Sequence, residues 1–410
     1  MTTLSTLAGL ARLAFARVGA ALRPLLGVVT PLGWIVALLA VAVGVTGAWL
    51  GWTEFTYLAL TLAAGLVVAF AFLGGRARFR VEVELRPRRV VAGERAFGRL
   101  LVTSTGSRRS TPTRLELPVG RGTAEFGIPA LAPGAEHEEL FAVPTQRRAV
   151  IVAGPAVSVR GDALGLVRRS VRWSDPVELF VHPPTVRLQP SAAGLVRDLE
   201  GEVTKTLTNN DLAFHALRPY ERGDDRRYVH WRTTARTGRL MVRQFTETRR
   251  SQLVLLHSAE ASAYTHDDVF DEGEFELGVS VLASIARQVL HDGTRIRVAS
   301  GLGELRTATP VTLLDDTSRI EPTTTGASLR AFAREATRRM PNPSVLVVVL
   351  GSATPITELR AVDALFGSDT RTIGLRIEAG GEPRVSLVGE LAVLTIGALP
   401  DLPKLLGKVS

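Results

Sequence analysis

A transmembrane helical hairpin, an all-β sandwich and an open α/β sheet, joined in that order, form the multidomain membrane protein that this sequence predicts. Two uncharged apolar runs stand side by side near the N-terminus, short runs of alternating polarity come next, and β-branched stretches separated by amphipathic ones fill the final part. On these observations the chain divides into residues 1–31, an N-terminal cytoplasmic segment; 32–75, the hairpin; 76–185, the sandwich; 186–250, a connector; and 251–410, the α/β domain.

The hairpin comes first. Trp34 to Trp52 and Phe55 to Leu73 contain no charged residue, and a helix of either length spans about 28 Å, close to the hydrocarbon thickness of a bilayer. Only Thr53 and Glu54 separate the runs, so the helices must be antiparallel and their outer ends must emerge on one side. Arg12, Arg17 and Arg23 precede the first run and Arg76, Arg78 and Arg80 come after the second, while the connection carries no basic residue. The positive-inside rule then puts both termini in the cytoplasm, with Glu54 outside and Trp34, Trp49, Trp52 and Tyr57 near the headgroups. Residues before Pro31 lack the unbroken apolar core and cleavage pattern of a signal peptide. Leu7, Ala11, Ala14, Val18, Leu22 and Leu25 recur at helical spacing, which suits either an interfacial helix or a tail.

Composition narrows the function classes. The chain has no cysteine, which excludes disulfides and thiolate metal sites. The net charge of +9 comes from arginine, lysine appearing only at Lys205, Lys404 and Lys408; such charge bears on association and leaves activity open.

Alternation marks the second part. Phe79 to Leu85, Gly98 to Thr103 and Arg114 to Leu117 each keep to period two, and Pro87, Gly93, Gly106, Pro112, Pro118, Pro129 and Pro133 punctuate them. Short strands at that spacing suit an antiparallel, immunoglobulin-like sandwich, serving as an interaction or spacer module and ending near Val181 to Pro184. His137 beside Glu138 and Glu139 lacks a second histidine and is read as a solvated turn.

The densest segment runs from Leu217 to Phe245, LRPYERGDDRRYVHWRTTARTGRLMVRQF. From Arg218 to Arg250 ten arginines face four carboxylates, which accounts for more than half of the net charge. Arginine forks can pair with Asp224 and Asp225 or with an external phosphate, and Tyr220, Tyr228 and Trp231 offer flat faces for guanidinium stacking. Gly223 is expected to relax a turn so that Asp224 caps the residues after it, with Leu240 to Phe245 as a strand. An ion-pair and stacking network that holds the segment together and a ligand site both remain open on these residues.

The pattern R-P-Y-x-x-G-D-D-x-R, H-W and A-R-x-G-x-L is carried by Arg218, Pro219, Tyr220, Gly223, Asp224, Asp225, Arg227, His230, Trp231, Ala235, Arg236, Gly238 and Leu240. It resembles the bacterial domain-of-unknown-function family 58. Arg147, Arg148, Gly154, Pro155, Asp162, Gly165 and Leu166 resemble that family's middle stretch, so the resemblance covers the chain after Pro31. It implies a membrane hairpin, a strand-rich domain, a von Willebrand factor A-like end, and association with MoxR-type AAA+ ATPases. It supplies no reaction.

After Ser251 the pattern alternates strand and helix: Leu253 to Leu256, Phe275 to Leu290, Arg295 to Ala299, Leu329 to Arg339 and Val345 to Leu350, then Ile356 to Leu365, Thr372 to Arg376 and Leu391 to Thr395. This predicts an open, mostly parallel, Rossmann-type sheet with helices on both faces. A von Willebrand A-type domain holds its metal with D-x-S-x-S after the first strand, where this chain has His257, Ser258 and Ala261, and Gly351-Ser352 also lacks an aspartate. No metal and no cofactor are expected, Glu260 being the one substitute oxygen donor nearby. Asp267, Asp268, Asp271, Glu272, Glu274 and Glu276 read as a helix N-terminus. Phosphate-loop, dinucleotide and nucleophile-elbow motifs are absent from the sequence, and Gly301 to Gly303 reads as a turn.

The expected function is therefore a non-catalytic adaptor in the bacterial cell membrane, bound to the bilayer through residues 34–52 and 55–73 and to a protein partner, a MoxR-type ATPase by the resemblance. The alternative is polyanion binding through the arginine-rich motif, to anionic lipid or nucleic acid. A third reading is a hydrolase centred on His230, oriented by Asp224 or Asp225; it lacks a nucleophile with a defined setting and requires a pocket that joins His230 and an aspartate to Ser258 or Thr233.

Overall fold

Pro31 lacks a backbone donor and holds φ near the helical value, so it opens α1, Pro31–Leu50, directly after the capping residue Thr30. This is the first element of a computed structural model that describes residues 27–73, 78–188, 212–222, 224–247, 252–265, 273–340, 343–367 and 370–408. The stripe from Leu7 to Leu25 lies outside the described residues. Thr30 Oγ1 accepts from Gly33 N at 3.1 Å, and left-handed Gly51 (φ 71°) ends the helix. The second helix, α2, Thr53–Phe72, begins two residues later. The turn is thus Gly51-Trp52: Thr53 and Glu54, expected in the connection, belong instead to the first turn of α2, where the helix dipole favours a carboxylate. Small residues let the two helices approach, since a Cβ on Gly47 would lie 3.0 Å from that of Phe55. Both helices are long and apolar enough to cross a membrane, and their outward side chains, Leu38, Val45, Trp49 and Val67 among them, are exposed.

The chain divides into two compact units, one of residues 1–146 with 150–180 and one of 147–149 with 181–410. In the first, which holds all but the first residue of β7 and the last two of β10, the hairpin is succeeded by strands β1 (Phe79–Arg86), β2 (Arg89–Val91), β3 (Ala96–Ser104), β4 (Thr113–Val119), β5 (Gly122–Ile128), β6 (Glu136–Val143), β7 (Ala149–Ala153), β8 (Val157–Gly161), β9 (Arg168–Arg172) and β10 (Val177–His182). They form a three-stranded sheet, β1-β3-β6, and a larger one, β2-β10-β7-β4-β8-β9, with β5 beside β4. Alternation sets the faces: in β1, Phe79, Val81, Val83 and Leu85 are buried while Arg80 and Glu82 are exposed. The two sheets meet where the Trp173 ring stands edge-on to Phe79 at 5.6 Å and its Nε1 donates to Ser158 Oγ at 2.7 Å. His137 is in β6, not in a turn. There it is half-buried and bonded to Glu139 Oε1 at 2.9 Å, the alternation of that strand putting both on one face.

The second unit contains a two-stranded finger and a seven-stranded sheet. The finger pairs β11, Leu212–Pro219, antiparallel with β12, Met241–Glu247, and the short helix α3, Trp231–Thr237, lies between them in sequence. The expected strand start at Leu240 moves by one residue, because Leu240 O accepts from Tyr220 N at 2.8 Å in the closing turn.

In the large sheet, β13 (Gln252–His257), β14 (Arg295–Ser300), β16 (Val345–Gly351), β17 (Arg371–Ile377) and β19 (Leu391–Ile396) are parallel; the short β15 (Gly303–Leu305) and β18 (Arg384–Val388) close the edges antiparallel. The spatial order is β15-β14-β13-β16-β17-β19-β18. Both faces are covered, as parallel sheets require. Leu253, Leu255, Val345, Val347 and Val349 meet α4, Glu274–His291, while Val254, Leu256, Leu346, Val348 and Leu350 meet α6, Leu329–Arg339, and α7, Ile356–Phe366. All seven residues of β16 are buried, which explains its unbroken apolar run. The structure adds α5 (Pro310–Thr317), α8 (Leu402–Leu406) and the two edge strands, short elements that the sequence pattern does not announce. Glu274 and Glu276 lie in the first turn of α4, as expected of that acidic stretch, whereas Asp267, Asp268, Asp271 and Glu272 lie outside the described residues.

Candidate functional site

The arginine-rich motif forms the tip of the finger. Arg218, at the end of β11, grips Asp224 with both guanidinium nitrogens, at 2.7 and 2.6 Å, and Asp224 also accepts from Glu221 N at 2.9 Å. The Arg218 fork, then the backbone bond, hold the Asp224 carboxyl below its ordinary range, and Asp224 raises Arg218 in turn. Capping falls to Asp225 instead of the expected Asp224: it accepts from Arg227 N at 3.0 Å at the head of the turn Arg226–Tyr228, since Asp224 is committed to Arg218. Gly223 lies outside the described residues.

His230 caps α3. Its Nδ1 accepts from Thr233 N at 3.2 Å and lies 2.8 Å from Thr233 Oγ1, which leaves the proton of the neutral ring on Nε2. Its bonds go to Thr233, and the two aspartates are engaged by Arg218 and Arg227; that is not the histidine–aspartate arrangement the hydrolase reading needs. Thr234 Oγ1 accepts from Met241 N at 3.0 Å, and left-handed Gly238 (φ 65°) ends the helix, the physical reason for glycine in A-R-x-G-x-L.

With Thr233 and Thr234 turned inward, Trp231, Arg232, Ala235 and Arg236 face outward, and Trp231 is 68% exposed. Leu240 is 46% exposed. Arg222, Arg226, Arg239 and Arg243 are exposed as well. The expected network is therefore only partly made. Among the described residues two of the motif's arginines, Arg218 and Arg227, pair with carboxylates, and no guanidinium stacks on Trp231.

A second place of interest is the crevice at the carboxyl ends of β13 and β16, where chain direction diverges and open α/β sheets commonly take ligands. Here it is filled. A Cβ on Gly351 would lie 2.2 Å from Ala263 O and 2.5 Å from Tyr264 Cδ1, so the turn Ala261–Ala263 and the Tyr264 ring occupy the space. Tyr264 donates its hydroxyl to Ser258 O at 2.5 Å and lies 3.3 Å from His257 Nε2, while His257 Nδ1 lies 2.9 Å from Ser300 Oγ. Phe275 stands edge-on to both rings at 5.5 and 5.3 Å. Burial, with a smaller contribution from the charge of Arg148, pushes His257 down to about 3, so it is neutral. Burial also pushes the Tyr264 hydroxyl up.

One carboxylate beside this crevice, through its bond to Ser352, is a residue that sequence reasoning assigned only to a helix end. Buried Glu274 accepts from Ser352 Oγ at 2.9 Å and from Thr265 Oγ1 at 3.1 Å. Glu260, the candidate substitute donor, turns instead to Thr325 Oγ1 at 2.9 Å and lines a cavity of about 260 Å³ at the carboxyl ends of β13 and β14, with Ser258, Ser300, Gly301, Leu329 and Phe332. Among the described residues, no group of three histidine, aspartate or glutamate side chains is set to hold a metal ion.

Comparison with known proteins bears on the finger and the sheet together. The profile of the family described as protein of unknown function DUF58 matches residues 216–377. The uncharacterized protein YeaD of Bacillus subtilis is 27% identical over 281 residues, which span 65% of this chain and 65% of that protein. A von Willebrand factor type A structure from Catenulispora acidiphila aligns with 40% of this chain and 42% of its own, at 11% identity and a TM-score of 0.25. The CARDB domain of a Pyrococcus furiosus protein aligns with 26% of this chain and 93% of its own, at 13% identity and a TM-score of 0.20. The finger-tip motif and the greater part of the sheet beyond it, residues 216–377, are thus similar to the DUF58 family.

Proposed function

We propose that this protein is a non-catalytic adaptor anchored in the cell membrane by α1 and α2, with both termini in the cytoplasm, an immunoglobulin-like sandwich as spacer, and a von Willebrand A-like sheet that presents the DUF58 finger to a partner. The observation that carries this reading is the contrast between the two sites. The crevice between β13 and β16 is packed with Tyr264 and a neutral His257, whereas the finger tip exposes Trp231 and, among the described residues, several arginines that pair with no carboxylate. Tryptophan and arginine are the side chains that most often dominate protein interfaces. By family resemblance the partner is a MoxR-type AAA+ ATPase.

The test is co-purification of the full-length protein, solubilised from membranes, with the MoxR-type ATPase of the same cell. Recovery that is lost in Trp231→Ala supports the reading. A reporter fused after Ser410 that is active only outside the cell, or an ATPase that never co-purifies, overturns it. Polyanion binding is a second reading, favoured by the exposed arginines of the tip.

A further inference from the structure

We infer that the finger tip is a membrane-surface contact that binds anionic phospholipid headgroups, with Trp231 and Leu240 entering the interface and the surrounding arginines pairing with phosphates. This deepens the second, polyanion-binding reading of the tip, in place of the ATPase as its occupant, and rests on the reading of the chain as membrane-anchored.

The outward face of α3 combines the required chemistry in a short space. Trp231, Arg232, Ala235 and Arg236 have the one-and-four spacing of a single helical face, and all four are exposed. The turn after Gly238 adds exposed Arg239 and Leu240, and β12 adds exposed Arg243. Carboxylates do not neutralise this face: Asp224 is taken by Arg218 and Asp225 by Arg227, which leaves exposed Glu221 as the single uncommitted acid of the described tip. Among the described residues Arg222, Arg226, Arg232, Arg236, Arg239 and Arg243 pair with no carboxylate. The backbone beneath is held firmly by Thr234 to Met241 and by Tyr220 to Leu240, so the exposed groups are displayed on a preformed support.

An indole ring is favoured at headgroup depth, where its apolar body and polar N–H are both satisfied. Guanidinium forks match phosphate oxygens in pairs and keep their charge at any physiological pH. Basic clusters beside a bilayer bind its acidic lipids with a strength that grows with each charge and fades with salt. A tether in the same bilayer makes those headgroups the polyanion present at the highest effective concentration, which favours lipid over an acidic protein or a nucleic acid.

The absence of cysteine permits a single-label experiment. Full-length protein carrying Ala235→Cys or, separately, Leu240→Cys is labelled with a fluorophore and reconstituted into nanodiscs of phosphatidylcholine alone or of equal parts phosphatidylcholine and phosphatidylglycerol. A label at Glu382→Cys, on an exposed loop outside the motif, is the reference. In the phosphatidylglycerol discs, quenching of the tip label by aqueous iodide should fall severalfold and quenching by a lipid-borne quencher should rise; high salt, or R232Q with R236Q and R239Q, should abolish both changes. Equal quenching of the tip label in the two lipids overturns the inference, as does shielding that survives loss of the three arginines. Shielding that appears only on addition of polyglutamate or duplex DNA also overturns it, in favour of that partner. If the protein fails to enter the discs, the anchoring reading fails; the same labels mixed with phosphatidylglycerol vesicles then test the tip alone, and no shielding there overturns the inference.

Discussion

Thr30 and Leu166 are bound together at the foot of the first apolar helix: the Thr30 N–H donates to Leu166 O at 3.0 Å, and the Thr30 hydroxyl lies 3.0 Å from the same oxygen. That hydroxyl also lies 2.6 Å from Gly165 O. The residue that caps α1 is therefore also the one that receives the D-x-x-G-L turn. Asp162 shapes this turn by accepting from Leu164 N and Val167 N at 2.9 and 2.8 Å. Leu166 and Val167 are then buried against Val29, Val36, Leu66 and Phe70, so the turn and the hairpin share one small core.

Gly33→Ala should break this junction. Its new methyl would lie 2.1 Å from Leu166 O, a backbone atom that cannot step aside. Overpacking of that kind costs about 1–3 kcal/mol. The thermal midpoint of the full-length protein in detergent should fall, with faster proteolysis around Gly165, while Gly65→Ala, with open space around it, should leave both unchanged.

The Arg218–Asp224 fork should make order at the finger tip depend on acid. Asp224 titrates lower in the folded protein than its ordinary value of 3.8, so its contribution is present above that value and is lost as pH falls through the lower folded one. Hydrogen exchange at Glu221 and Asp224 should stay slow from neutrality down to the ordinary aspartate range and rise below it. In Asp224→Asn it should be fast at every pH.

His257 acts in the same direction over a higher pH window. Because its folded value of about 3 lies below the ordinary 6.5, the unfolded chain binds a proton that the folded one refuses, and stability falls as pH drops from 6.5 towards 3. Between pH 6.5 and about pH 5 this amounts to about 2 kcal/mol. Urea unfolding at those two pH values should register the loss in the native protein, and a folded His257→Gln variant should lose the slope attributable to this site.

Tyr264 should matter for stability rather than turnover. Tyr264→Phe leaves the buried Ser258 carbonyl without its donor, at a cost of about 1–3 kcal/mol. Gly351→Ala should be at least as damaging, because the neighbouring Ala263 carbonyl is backbone. Denaturant midpoints of the two variants provide the comparison; unchanged midpoints would mean that the crevice is not packed as described.

Much of this architecture was legible along the chain. The two uncharged runs announced α1 and α2, and Val345 to Leu350 announced a strand buried on both faces. Boundaries were harder to read: the hairpin turn moved to Gly51 because a left-handed cap ends a helix regardless of how far the apolar run continues. Short elements such as β15 and α8 lacked enough residues to display a period. Within the motif, arginine–aspartate pairing was foreseeable, but which aspartate Arg218 would take was not, since both are almost equally near in sequence.

Local chemistry along the chain was enough to decide which segments shun water, which alternate, and where positive charge collects, because those properties are sums over neighbouring residues. Only packing in three dimensions brought Thr30 to Leu166 and Glu274 to Ser352, and placed Tyr264 in the crevice beside His257. Such contacts join residues far apart in the chain or close a turn whose direction depends on the packing around it. They arise from the register and burial of whole elements, which no local pattern encodes.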